Sequence, residues 1–125
     1  MDKKIKLINL QYGDVSTDLL ELKESYGVEV LQCATVDNMN DLDGLASLID
    51  VCDLVVSSDN STVHLAGALG KQVWVCLPDP PNWRWGLSGD SSDWYPNVRL
   101  YRQQNLGDWT SVLLDLSQSL MKYEN

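Results

Sequence analysis

A chain of 125 residues, 44% apolar and 22% charged, has the size and balance of one globular domain. It contains no apolar run of the roughly 20 residues that a membrane-spanning helix needs. Its net charge of -9 argues against nucleic acid as a partner, because a backbone-binding surface requires clustered Lys and Arg.

Ile5-Lys6-Leu7-Ile8-Asn9-Leu10 is a β-rich run closed by Gly13, which predicts a first strand and its turn. Ser16 or Thr17 suits the cap of the helix that follows. Leu19, Leu22 and Tyr26 recur there at helical spacing, and Gly27 stops it. Val28 to Cys33 predicts a second strand. Asn38 to Asp43 is a polar loop ending in a good N-cap, and Leu42, Leu45, Ala46 and Ile49 mark one face of a second helix. Leu54-Val55-Val56, wholly apolar between Asp53 and Ser57, suits a central strand covered on both faces. Thr62 to Leu69 predicts a short helix closed by Gly70, and Val73 to Leu77 a buried strand ended by Pro78. Residues 78 to 97 hold all four prolines and three of the five tryptophans, without a clear period. Val98 to Arg102 predicts another strand. Asp108 then caps a last helix whose apolar face is Trp109, Val112, Leu113, Leu116 and Leu120. Such alternation implies parallel strands joined by crossovers. The predicted architecture is a Rossmann-like, doubly wound, mainly parallel α/β sheet with helices on both faces, one domain over residues 1–125.

Cys33, Cys52 and Cys76 are an odd number with no CxxC pair, so neither a disulfide framework nor a zinc site is suggested. They read as small buried hydrophobes of a reducing compartment. Met1-Asp2-Lys3-Lys4 and the short apolar run behind it lack the length and cleavage site of a secretory leader, so a cytoplasmic location is expected.

In an open parallel sheet, ligands bind at the carboxyl ends of the strands. Two loops at such ends stand out. In the first, Asp59, Asn60, Ser61 and Thr62 open a helix whose N–H groups and dipole suit a phosphate, with His64 one turn on. Ala66, Gly67 and Ala68 would let that helix pack close to the sheet, or let a ligand approach its backbone. The plainer alternative makes Asp59 or Ser61 an ordinary N-cap and His64 a half-buried helix residue. The second loop runs from Pro78 through Trp83-Arg84-Trp85 to Trp94-Tyr95-Pro96. Flat apolar faces beside a guanidinium suit a sugar or base next to a phosphate or carboxylate. Equally, these tryptophans would serve as a lid that holds a long loop in shape. Neither GxGxxG nor GxxxxGK[ST] is present.

The run from Asp53 to Val75, Asp-Leu-Val-Val-Ser-Ser-Asp-Asn-Ser-Thr-Val-His-Leu-Ala-Gly-Ala-Leu-Gly-Lys-Gln-Val-Trp-Val, resembles the signature of the heptosyltransferase-like glycosyltransferases. It is most similar to the version at the C-terminal end of bacterial tetratricopeptide-repeat proteins. Trp83-Arg84-Trp85, Trp94-Tyr95-Pro96, Arg99-Leu100-Tyr101-Arg102-Gln103 and Gly107-Asp108-Trp109 continue the likeness, which covers nearly the whole chain.

This resemblance implies one half of a GT-B fold, the domain that binds a nucleotide-sugar donor, generally without a metal ion or other cofactor. It places the donor diphosphate on Asp59, Asn60, Ser61 and Thr62, with His64 nearby. Candidate contacts to sugar or base are Gln11, Pro78, Trp83, Arg84 and Trp85. The partners implied are a nucleotide sugar and an acceptor domain or a second copy of the chain. The family's Asp-Thr-Gly before the helix is here Asp59-Asn60-Ser61, which changes how closely backbone can approach a phosphate. Its basic residue after the first strand has no counterpart in Gln11-Tyr12-Gly13-Asp14. The acceptor half, which usually carries the catalytic base, is not in this chain. A stand-alone nucleotide- or sugar-binding module, or a structural domain with a decayed site, is the alternative.

Overall fold

The structure, a computed structural model, describes residues 5–123; the Lys-rich start, Met1–Lys4, lies outside them. Among the described residues strand and helix alternate as expected, and the named strands pair with one another in parallel, while Arg99 adds one isolated antiparallel bridge to Ser91. The pairings form two sheets, of two and three strands, and the chain divides into two compact units, Met1–Ile49 and Asp50–Asn125.

In the first unit, β1 (Leu7–Ile8) pairs with β2 (Val30–Leu31), and the Asn9 N–H extends the ladder to the Leu31 carbonyl at 2.8 Å. Both strands are shorter than the runs that predicted them, and neither contains a buried residue. With so little burial, nothing extends the pairing beyond its few hydrogen bonds. Between them runs α1 (Ser16–Tyr26), which also buries no residue; Leu19 and Leu22 are half-covered and Tyr26 is exposed. Its start is capped differently from expectation. The Asp14 carboxylate accepts the backbone N–H and the hydroxyl of Ser16, and these bonds hold its carboxyl below the usual carboxylate range. Gly27 ends α1 as predicted, in the left-handed region at φ +65°. In α2 (Leu42–Asp50), Leu45 and Ile49 are buried while Leu42 stays exposed, and Asp41 caps the helix by accepting the Gly44 N–H at 2.8 Å.

The second unit is built on β3 (Leu54–Ser58), β4 (Gln72–Leu77) and β5 (Val98–Arg102), in that order across the sheet. The expected central strand at Leu54-Val55-Val56 is therefore an edge of its sheet, and Val56 is half-exposed. A short apolar run does not distinguish an edge from a centre. The central place belongs to β4, whose Val73, Val75 and Leu77 are fully enclosed, as is Val55 of β3. Each such side chain contributes about 1.5–3 kcal/mol relative to exposure. The opposite side chains of β4 and β5, Trp74 and Tyr101, pack with Val112, Leu116 and Leu120 of α4 (Thr110–Lys122) and with Tyr123. Trp74 meets Tyr123 edge-on at 5.6 Å. Asp108 accepts the Thr110 N–H at 3.0 Å, as expected of it, but Trp109 and Leu113 lie off the packed stripe and are exposed. Against β3 and β4 lies α3 (Ser61–Ala68), closed by Gly70 at φ +77°.

Cys33 is exposed, contrary to its reading as a core residue, while Cys52 and Cys76 are half-buried. Burial pushes both of these thiols up from their ordinary pKa.

Candidate functional site

β3 and β4 are parallel neighbours, so the segments leaving their carboxyl ends open on one edge of the sheet. The segment after β3 leads at once into α3. The Asn60 backbone is extended (φ -155°), and its side-chain oxygen accepts the Thr62 N–H at 3.0 Å, while its amide donates to the Ser57 hydroxyl at 3.1 Å. The cap is therefore Asn60, not Asp59 or Ser61. That division leaves the two flanking side chains uncommitted to capping.

The segment after β4 starts at Pro78, bends at Asp79 and Pro80, and forms a 3-10 helix at Trp83–Trp85. Asn82 caps it by accepting the Arg84 N–H at 3.3 Å. The two segments meet at an open cavity of about 460 Å3 lined by Asp59, Asn60, Ser61, His64, Asn82 and Arg84. Five of these residues were singled out from the sequence as candidates; Asn82 was not. Thr62, Pro78, Trp83 and Trp85 do not line the cavity. Gln11 lines a different cavity, of about 230 Å3, in the first unit.

His64 is held from three sides. Its ring stacks on Trp85 at 5.4 Å and 18°, its Nδ1 lies 3.1 Å from the Tyr95 hydroxyl, and its Nε2 is 3.9 Å from an Asp59 carboxylate oxygen. In the tautomer with its proton on Nε2, toward the carboxylate, a neutral imidazole would accept the Tyr95 O–H on Nδ1. At 3.9 Å the Asp59–His64 pair is not a hydrogen bond, and one ligand oxygen can bridge it by accepting from His64 and donating to Asp59. An ionised carboxylate has no proton to offer a phosphate oxygen. Asp59 therefore suits a hydroxyl, whereas Ser61, the α3 terminus and Arg84 suit an anion.

Tyr95 reaches His64 because Gly67 makes room for it. A Cβ on Gly67 would stand 2.8 Å from the Tyr95 ring, so the small residue accommodates an aromatic ring of this chain and not a ligand. Gly67→Ala is expected to displace Tyr95 and to cost about 1–3 kcal/mol by overpacking. Urea unfolding measures this directly, and wild-type stability of the variant would refute the crowding.

Trp85 is 3% exposed and Trp83 75% exposed, so the two tryptophans flanking Arg84 have different duties. Trp83 meets Trp94 edge-on at 6.3 Å, and the Arg84 guanidinium lies 5.6 Å from the Trp83 ring centre. Asn82 and Tyr95 were missed in the sequence because their roles are set by contacts across the loop; the Asn before Trp-Arg-Trp was the one local signal for a cap. Among the described residues no helix is long and apolar enough to cross a membrane.

Over 119 residues, 95% of its length, the chain is 33% identical to Protein FlbA of Caulobacter vibrioides. It spans only 20% of the length of FlbA. No protein-family model matches the chain, and no solved structure matches it significantly.

Proposed function

We propose that the second unit binds the diphosphate of a nucleotide sugar and that the chain is the donor-binding half of a GT-B glycosyltransferase. The observation that carries this is the meeting of the α3 terminus and Arg84 at one cavity, on the edge of a parallel sheet where such ligands sit. The diphosphate lies against Ser61, the α3 N–H groups and the Arg84 guanidinium. Asp59 and His64 face a sugar or ribose hydroxyl, and Trp83 offers a flat face to sugar or base.

In glycosyl transfer the leaving diphosphate gains charge as the glycosidic bond breaks. Helix N–H groups and a guanidinium aimed at that charge stabilise it without calling for a metal. The chain's contribution is to bind and orient the donor. The catalytic base and the acceptor site belong to a further domain or partner, and a cytoplasmic location belongs to the same proposal.

The test is a thermal-shift panel with UDP, ADP, GDP, CMP and their sugar conjugates. A ligand at a hundredfold excess over Kd adds about 2.7 kcal/mol to stability. One nucleoside diphosphate is expected to raise Tm clearly, and Arg84→Ala and Asp59→Ala to weaken it about tenfold or more. Trp83→Ala is expected to lower affinity more than stability, since so little of the ring is covered. No shift with any nucleotide would reject donor binding by this chain alone.

A further inference from the structure

Arg102, the last residue of β5, does not line the cavity of Asp59 and Arg84. Its guanidinium is nevertheless turned toward the loop that shapes that cavity. Nε donates to the Gly89 carbonyl at 2.7 Å and Nη1 to the Gly86 carbonyl at 3.0 Å, while Nη2 donates to the carbonyls of Trp85 and of Ser88, the latter at 3.2 Å. Four backbone carbonyls of one short segment thus converge on one rigid, planar cation. A guanidinium has five N–H donors in a fixed fork, so it dictates where those carbonyls lie relative to one another. Lysine, with a single nitrogen on a flexible stem, cannot reproduce the pattern. The segment needs such a tie, because Gly86 and Gly89 both lie at positive φ and Leu87 is exposed between them. Partial burial of the cation lowers its pKa, yet a guanidinium remains charged.

We infer that Arg102 is a positioning residue: by holding the carbonyls of Trp85, Gly86, Ser88 and Gly89, it fixes the Trp85 ring against His64 and the adjacent Arg84 in the cavity wall. The chain of contacts is continuous. Arg102 holds the Trp85 backbone, the Trp85 ring stacks on His64, and His64 faces Asp59 across the cavity. Its functional meaning rests on the cavity being the ligand site proposed above.

His64 is the chain's sole histidine, so its ring protons give one unambiguous set of NMR signals in tag-free protein. A ring stacked on tryptophan resonates away from the position of an exposed histidine. Arg102→Met keeps the apolar stem and removes every donor. It is expected to move the His64 signals to where Trp85→Ala places them, with the Trp74–Tyr101 packing intact by near-ultraviolet circular dichroism. Arg102→Lys is expected to fall between. Unchanged His64 signals in a folded Arg102→Met protein would overturn the assignment. So would global unfolding of both variants, which would make Arg102 a general stability residue. In parallel, inorganic pyrophosphate is titrated into wild type and Arg102→Met, with about tenfold weaker binding expected in the variant. Failure of pyrophosphate to bind wild type would count against the proposed donor site, while the His64 signals would still decide the positioning role.

Discussion

Replacing Trp85 by alanine is expected to cost about 3–5 kcal/mol of stability, the range typical of a fully buried tryptophan lost from a core. The side chain is almost entirely enclosed, forms the platform under His64 and anchors the 3-10 helix that presents Arg84. Its removal takes away a large apolar area and leaves a hole that the surrounding backbone, tied by Arg102, is poorly placed to close. One feature works the other way. The indole Nε1–H is buried with no hydrogen-bond partner among the described residues, a desolvation cost of about 1–3 kcal/mol. Trp85→Phe deletes that donor while keeping a stacking ring. It is therefore expected to lose well under half of what Trp85→Ala loses. Urea unfolding of both variants provides the comparison, and equal losses would mean that the ring does not matter as an aromatic platform.

Gln103→Leu is expected to cost about 2–4 kcal/mol, although the two side chains are similar in size. Gln103 is 6% exposed, a buried polar side chain among the described residues. Its amide oxygen accepts two backbone N–H groups, from Asp79 at 3.1 Å and Gly107 at 3.2 Å. Leucine would leave both donors without that acceptor. The loss would loosen the turn after β4 and the turn before α4 together. Gln103→Glu keeps an acceptor oxygen and is expected to retain more stability than the leucine variant despite burying a charge. If leucine proves the more stable of the two, the bonds to Asp79 and Gly107 are not what the residue is for.

Local patterns in the sequence predicted the parts of the fold that depend on neighbours in the chain. The strand Val98–Arg102 falls where its pattern placed it. Val73–Leu77 lacks only Gln72 of the observed β4, and Gly27 and Gly70 end their helices. What needed knowledge of the other side of a contact was not legible. An apolar triplet at Leu54-Val55-Val56 says that burial is available but not how many neighbours supply it. The spacing of Leu19, Leu22 and Tyr26 makes a stripe, yet α1 buries none of them. The last helix shows the limit most clearly: Trp109 and Leu113 fit the apolar period as well as Val112 and Leu116 do, and only packing against Trp74 and Tyr101 decides between them.

The candidate site divides along the same line. Asp59, Asn60, Ser61 and His64 form one contiguous motif, and a strand-to-helix turn rich in acceptors signals a helix terminus wherever it occurs. That Arg84, some twenty residues later, faces the same cavity follows only from the side-by-side parallel pairing of β3 and β4. The roles of Tyr95 and Arg102 lie further still from sequence, since each acts through a contact with the loop or helix it braces. Even the plain alternative, an ordinary N-cap, proved correct in kind but mistaken in residue. Asn60 does the capping and lines the cavity together with Asp59 and Ser61, whose side chains are left free of that duty.

All five tryptophans lie in Asp50–Asn125, whereas Met1–Ile49 has tyrosine as its aromatic residue and no tryptophan. Indole emission excited near the red edge of the absorption band therefore reports on the second unit alone, and backbone circular dichroism reports on both. Comparing the two signals through one denaturation tells whether the halves of the chain melt as a single cooperative body or in separate steps, without a label or a mutation.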